Sequence, residues 1–482
     1  MSTPSSAGFD TRLLINGSFI SGEARSETAF DPARGTILAE VPSASLAQVE
    51  SAIAAASQAF TSHRRTTPKE RSLMLLAIAD RILREAEDLA RVESLNAGKP
   101  LRYVKGGELA NVADVFRFFA GAVRTMEGTV SGNYRSASMT SLIRRDPVGV
   151  VASIAPWNYP LLMAAWKLAP AIAAGNTVVI KPSEHTPLSL IALGRILNDI
   201  LPPGVVNIVC GNGPDVGQAL ISHPDVRMVS LTGDVRTGRA VLAAAAGERI
   251  KRTHLELGGK APVIVLKDAD IDSLVSTLRE ASFYNAGQDC TAACRILVDR
   301  SLAGDVEAAM EAMVASLIYG DPERDDVEFG PVISARHLER VSGFVDRARD
   351  QGCQILAGGE RSGTTGFFYA PTLVRAPFDA EIVQKEVFGP VVTITAVDGP
   401  EDAVRLANSS EYGLASSVWS ADQKTALTVA NALEYGVTWV NTHGVFATEM
   451  PHGGMKNSGY GSDLSMQSLL EYTQTRHIML AS

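Results

Sequence analysis

Between residues 148 and 231 short apolar runs alternate with segments of helical length, and this rhythm restricts the fold more than any other feature. The runs 148–154, 177–181, 205–209 and 227–231 are rich in Val, Ile and Leu, and 161–174, 188–201 and 215–222 between them have helical spacing. A strand that is apolar throughout must be covered on both faces, and parallel neighbours need a crossover, usually a helix. The expected fold class is therefore α/β, a doubly wound parallel sheet with helices on both faces. A second set follows, with strands at 263–265, 295–298, 391–397 and 416–420 and helices at 272–286, 306–317, 337–351, 401–408 and 424–433. Two such lobes fit within 482 residues at ~150 residues per domain.

Upstream, 13–20 reads as a short strand with a turn at Asn16-Gly17. Helices are expected at 45–60, opening on Ser45, at 68–96, stopped by Gly98, and at 106–125. Segments 128–145 and 473–480 fit neither lobe. They read as strands of the kind that pair across subunits, or else as plain surface edge strands. A net charge of −9 gives no general attraction to nucleic acid or an anionic membrane. The most apolar stretch, 148–180, is broken by Pro156, Asn158, Lys167, Pro170 and Asn176, so it reads as buried core and not a span. Residues 1–10 lack the basic and apolar regions of a signal peptide. The cysteines, Cys210, Cys290, Cys294 and Cys353, are too few for a disulfide framework, which points to a reducing, cytoplasmic setting.

Three loops follow parallel strands, where open α/β sheets bind ligands. Gly211-Asn-Gly213-Pro-Asp-Val-Gly217 approximates a phosphate-binding loop with one residue too many, or else is a plain strand–helix turn. Thr232-Gly-Asp234-Val-Arg-Thr237-Gly238 is a second, and Lys181-Pro-Ser183-Glu184 is a third, whose Glu184 suits ribose hydroxyls. Cys290 lies in Gly287-Gln-Asp-Cys290-Thr, between polar Asp289 and Thr291, an odd place for a core cysteine. No second ligand pair gives Cys290 and Cys294 a metal, and no histidine signature makes a Cys–His protease. Glu256-Leu-Gly-Gly-Lys260 sets an acid in a glycine-tight apolar context that suits a general base, or else marks a surface glutamate before a turn. Pro156-Trp-Asn158-Tyr-Pro160 brackets an asparagine with prolines, either as an oxyanion donor or as a plain turn.

These motifs, with Glu386-Val-Phe388-Gly-Pro390 and Asn441, resemble the aldehyde dehydrogenase superfamily over almost the full chain. Asn285-Ala-Gly-Gln-Asp-Cys-Thr-Ala-Ala-Cys-Arg295 and Glu449-Met-Pro-His452-Gly-Gly454 are most similar to bacterial γ-aminobutyraldehyde dehydrogenases. The resemblance implies NAD-dependent oxidation of an aldehyde to its acid, 4-aminobutanal first, as in putrescine and polyamine catabolism. Cys290 would be the nucleophile, Glu256 the base and Asn158 an oxyanion donor. NAD would be held by Ile154, Pro156, Trp157, Lys181, Ser183, Glu184, Gly213, Gly217, Leu231, Thr232, Gly233, Asp234, Thr237, Gly258, Glu386 and Phe388. Asp234 stands where the family has serine, and its carboxylate must turn away from a pyrophosphate or meet Arg236 or Arg239.

Glu108 and Asn111 share a helix face and would meet the substrate amine, with Asp289 a further acid. Tyr159, Met163, Trp166, Thr291, His443, Phe446 and His452 complete the expected pocket, which Gly444 would widen. The resemblance also implies an NAD-binding domain of 1–127 and 146–255 and a catalytic domain of 256–445. Oligomerisation strands at 128–145 and 463–482 would build a homotetramer, a dimer of dimers. Rival readings are a medium-chain or aromatic aldehyde dehydrogenase, a CoA-acylating enzyme, disfavoured by Glu256, and a non-catalytic binding paralogue, disfavoured by Cys290 with Glu256.

Overall fold

The computed structural model describes residues 8–130, 132–247 and 249–481. The ends of the expected first domain and of the C-terminal segment, at 1–7 and 482, and position 131 of the expected strand segment lie outside those residues. The first rhythm becomes an eight-stranded sheet. Its parallel centre contains β1 (Val150–Ile154), β2 (Thr177–Lys181), β3 (Val226–Thr232) and β4 (Arg252–Glu256), with Val206–Ile208 beside β2. The sheet is not parallel to its edges. The hairpin of Leu13–Ile15 and Ser18–Ile20 caps one side, and Gly459–Tyr460 pairs antiparallel with β4 on the other. Three-residue and two-residue strands carry too little pattern to show their direction in sequence.

A seven-stranded sheet follows, with β5 (Ala261–Val265) and β6 (Ala293–Asp299) adjacent at its centre. Only its edge strand, Gln354–Ala357, runs antiparallel. Helix α1 (Leu109–Thr125) packs against α2 (Pro160–Ala174). Every residue of α2 except Leu162 is buried, Lys167 included. Helix α3 (Val235–Ala245) follows β3, and α4 (Ile271–Phe283) precedes the loop that leads into β6. Among the described residues no helix is long and apolar enough to cross a membrane.

Four expected elements differ in detail. The single helix expected at 68–96 is two, Pro68–Arg84 and Ala86–Ala97, broken where Glu85 takes φ −103° and ψ 16°. Apolar spacing continues across such a one-residue break, so periodicity passes over it. The helix expected from 106 is a π-turn at Val104–Glu108 before α1 starts at Leu109. The segment expected as a helix at 215–222 is likewise a π-turn at Gly213–Gly217 followed by Gln218–Ser222. The helix expected at 272–286 stops at Phe283, because Asn285 and Ala286 adopt φ of 52° and 55°.

The two segments that fitted neither lobe meet in a separate antiparallel sheet. Thr473–Ala481 pairs along its whole length with Met139–Pro147, which also pairs Thr129–Val130. The part of 463–482 ahead of that strand is not strand but the helix Ser465–Glu471. Ile143, Met479 and Leu480 remain exposed on this sheet.

Asn176, which interrupts the apolar stretch, sits fully buried between α2 and β2. Its side chain accepts from the Gly149 N–H at 2.9 Å and donates to Ala171 O at 3.2 Å and Tyr472 O at 2.8 Å. It thereby ties the start of the central strands to the segment entering the C-terminal strand. Stranding a buried backbone group costs about 1–3 kcal/mol. Asn176→Ala is therefore expected to lower the urea midpoint substantially at constant m-value. An unchanged midpoint would show that these bonds add nothing.

Candidate active site

The loops at the C-terminal ends of β1–β4 face the loop ahead of β6 across one cavity of about 1560 Å³. Every candidate residue except Gly217 lines it. Gly217 lies in the π-turn Gly213–Gly217, where a Cβ would meet Asn212 O at 3.7 Å and the Lys181 stem at 3.8 Å.

From β1 the chain passes through Pro156 to Asn158 and enters α2 at Pro160, where proline suits the first turn of a helix. Trp157 packs edge-on against His337 and Phe388, at 5.3 and 5.2 Å between centroids. Asn158 Nδ2 donates to Gln288 O at 3.0 Å, and Asn285 Nδ2 donates back to Asn158 O at 2.9 Å. Gln288 is pinned in turn, its Oε1 accepting from Ile333 N–H at 2.8 Å and its Nε2 donating to Asn285 O at 2.9 Å. The Nδ2 of an asparagine carries two protons, so one is left for a ligand. Gly287 has φ 65°, and a Cβ there would stand 2.3 Å from Gly389 O, so the sharp turn ahead of Cys290 accepts only glycine.

Cys290 is half-buried beside Asp289, Glu256 and Glu386. Burial, then those three carboxylates, push its thiol well above the ordinary value, although its own backbone N–H opposes the shift. Glu256 ends β4 and is 1% exposed, not a surface glutamate. Its Oε1 lies 3.0 Å from His452 Nε2. Burial raises its pKa; His452 works against that shift and Asp463 adds to it. His452, expected among substrate contacts, thus stands against this acid, held edge-on by Trp166 at 5.3 Å and Phe446 at 5.1 Å. A thiol, an amide donor and a buried carboxyl on one cavity can support attack on a carbonyl, oxyanion stabilisation and water activation.

The other half of the cavity suits a nucleotide. Lys181 Nζ donates to Pro182 O at 2.7 Å and Gly211 O at 2.6 Å and stands 3.5 Å from Glu184. Burial lowers the Lys181 pKa. Burial opposes the charge on Glu184, yet Lys181 brings its carboxyl below the usual range. Two free hydroxyls of a ribose can bridge such a pair. Asp234 caps α3, its Oδ1 accepting from Thr237 N–H at 2.7 Å, with Arg236 at 3.8 Å. The carboxylate is thus turned onto its own helix while Asp234 still lines the cavity. Glu386 accepts from Gly259 N–H at 2.8 Å, and burial raises its pKa to about 7. A Cβ on Gly258 would lie 2.5 Å from Glu386 Oε2, so this approach also depends on glycine.

At the far end the residues expected to meet an amine line the cavity and already have partners within the protein. Glu108 lines the cavity, but its Oε1 accepts from buried Lys99 at 2.5 Å and its Oε2 from Tyr284 at 3.2 Å. Lys99 also donates to Glu93 at 2.8 Å and lies 4.9 Å over the Tyr159 ring. Glu108 therefore already has a cation. Asp289 is likewise engaged, accepting from Tyr159 OH at 2.8 Å and from Thr291. His443 is tied to Ser417 at 2.9 Å and Thr291 O at 2.7 Å, and burial lowers its pKa to about 4. Asn111 and Met163 line the walls. Lys99, Tyr284 and Asp463 were not singled out in sequence. Tyr284 adjoins the Asn285 motif and Lys99 follows the Gly98 stop, which are the signals that could have found them.

The aldehyde dehydrogenase family model matches residues 19–478. An aldehyde dehydrogenase of Aspergillus niger is 39% identical over 471 residues, 97% of this chain and 94% of that one. Betaine aldehyde dehydrogenase of Staphylococcus aureus, solved with NAD+, is 36% identical with a TM-score of 0.95, covering 98% of this chain and 95% of that chain. PnpE of Pseudomonas sp. WBC-3 is 38% identical with a TM-score of 0.95, covering 98% of both chains. PnpE has also been solved with NAD.

The raised thiol pKa has a direct consequence. The thiolate reacts, not the thiol, so alkylation of Cys290 by iodoacetamide in the cofactor-free protein should climb about tenfold per pH unit up to and beyond ~pH 8.5. Mass spectrometry of the Cys290 peptide reads it. A plateau already reached at neutral pH would mean that the surrounding carboxylates do not govern the sulfur.

Proposed function

The chain belongs to the aldehyde dehydrogenase family and is an NAD-dependent enzyme, and from that premise we propose roles for its residues and a substrate. The supporting observation is that Cys290, Asn158 and Glu256 line one cavity with the Lys181–Glu184 pair. Cys290, once deprotonated, attacks the aldehyde carbon. Asn158 Nδ2 and the Cys290 backbone N–H hold the oxyanion that develops. Bound NAD accepts the hydride that leaves this carbon. The thioester left on Cys290 is hydrolysed by water that Glu256 deprotonates. Lys181 and Glu184 hold the adenine ribose, the loop at 231–237 lies by the pyrophosphate, and Glu386 and Phe388 orient the nicotinamide half. Residues 1–127 and 146–255 form the NAD-binding domain and 256–445 the catalytic domain.

The proposed substrate is 4-aminobutanal, oxidised to 4-aminobutanoate in polyamine breakdown in the cytoplasm. Glu108, Asn111 and Asp289 line the cavity and are the polar side chains that support an amine-bearing substrate, Glu108 sharing its charge with Lys99. Tyr159, Trp166 and Phe446 add ring faces and edges. A cation over a ring gains ~0.5–2 kcal/mol. The second reading, a medium-chain or aromatic aldehyde, is favoured by Gly444, where a Cβ would meet only Ala281 at 4.0 Å. The sheet of Met139–Pro147 and Thr473–Ala481 is the proposed contact in a dimer of dimers.

Stopped-flow NADH absorbance separates the two chemical steps. Glu256→Gln should retain the burst and slow the steady state by ~10²–10⁴, the range for a lost general base. Equal loss of both phases would assign Glu256 a structural role. For the substrate, kcat/KM for 4-aminobutanal should exceed that for butanal by about tenfold or more, equivalent to ~1.4 kcal/mol. Equal values would favour the second reading.

A further inference from the structure

His452 is a buried titratable group in the cavity that these steps do not use. Burying an imidazole is costly unless its nitrogens find partners. His443 in the same cavity has both nitrogens engaged. His452 differs: Nδ1 has no partner among the described residues, and the polar neighbour of Nε2 is Glu256 Oε1 at 3.0 Å. Its ring is fixed by the edges of Trp166 and Phe446, and its backbone is clamped to Asp463 by two bonds of 2.9 and 2.7 Å. The ring is thus placed by everything around it to meet one carboxylate.

The charges facing this pair come from several elements. Asp463 faces Glu256 from the loop after Gly459–Tyr460, and Lys167 on α2 lies 4.0 Å from Asp463. His254, also on β4, lies 3.4 Å from Asp463 and 3.0 Å from Glu471. Asp289, Cys290 and Glu386 complete the surroundings. Asp463 and burial both favour the protonated form of Glu256, and His452 opposes them; burial works against charge on His452, yet Glu256 raises its pKa in turn.

We propose that His452 is a positioning residue for Glu256, its imidazolium keeping the carboxylate ionised and aimed against the opposing charge of Asp463. This rests on the role given to Glu256 above. Removing the cation leaves burial and Asp463 unopposed, so the Glu256 pKa rises and the base form is lost as pH falls through a higher value than in the wild type.

The test follows the steady-state rate and NADH burst of the intact enzyme, with NAD and propanal, from about pH 6 to pH 9. His452→Phe should move the acid limb of kcat up by about one unit or more, a tenfold loss on that limb, and leave the burst amplitude intact. His452→Gln keeps a neutral donor. It should show the same limb shift with a smaller loss on the plateau, and it decides the question if the Phe variant fails to fold. A uniform fall at all pH values with an unmoved limb would overturn the proposal, as would no change. Glu256→Gln, measured in parallel, separates the two readings. If it leaves both phases untouched, both fail; if it slows only the steady state while the His452 variants keep the wild-type limb, only the role of His452 fails.

Discussion

The reciprocal bonds between Asn158 and the Asn285–Gln288 loop are the constraint on which the rest of the site depends. One partner leaves the first sheet at β1, and the other enters the second sheet at β6. Each loop uses the other's backbone to satisfy a buried amide, so neither can shift alone without stranding a polar group. The relative placement of amide donor and thiol is therefore set by hydrogen bonds between loops, with the sheets as the rigid frame behind them.

The same economy governs the charges. Glu256, Glu386 and Asp289 all face Cys290, and each opposes its ionisation. The buried lysines Lys99, Lys167 and Lys181 are each committed to other carboxylates or carbonyls and not to the thiol. Burial and these carboxylates together raise the thiol pKa, and susceptibility to oxidants falls as thiolate character falls.

Much of this was legible in the residues. The α/β alternation showed because buried parallel strands are apolar on both faces, and the loops after them were found because ligands gather at strand ends. Pro156 and Pro160 marked a fixed Asn158, and the glycines around Glu256 and Cys290 marked tight backbone. What stayed hidden was pairing. Nothing in the spacing of Glu108 tells that Lys99, nine residues earlier, has taken its charge. Nothing in Pro451-His452-Gly453 shows that the ring turns to Glu256, almost two hundred positions away in sequence. The break at Glu85 escaped for a different reason, since a kink of one residue leaves the apolar face in phase.

The strand Gly459–Tyr460 lies on the exposed edge of β4, and the residues around it, His452 and Asp463, close on Glu256. The edge strand that shields β4 from foreign pairing is also the one that delivers the surroundings of the acid. Any change that frees this strand would therefore bare a sheet edge and strip the acid of its neighbours in a single event.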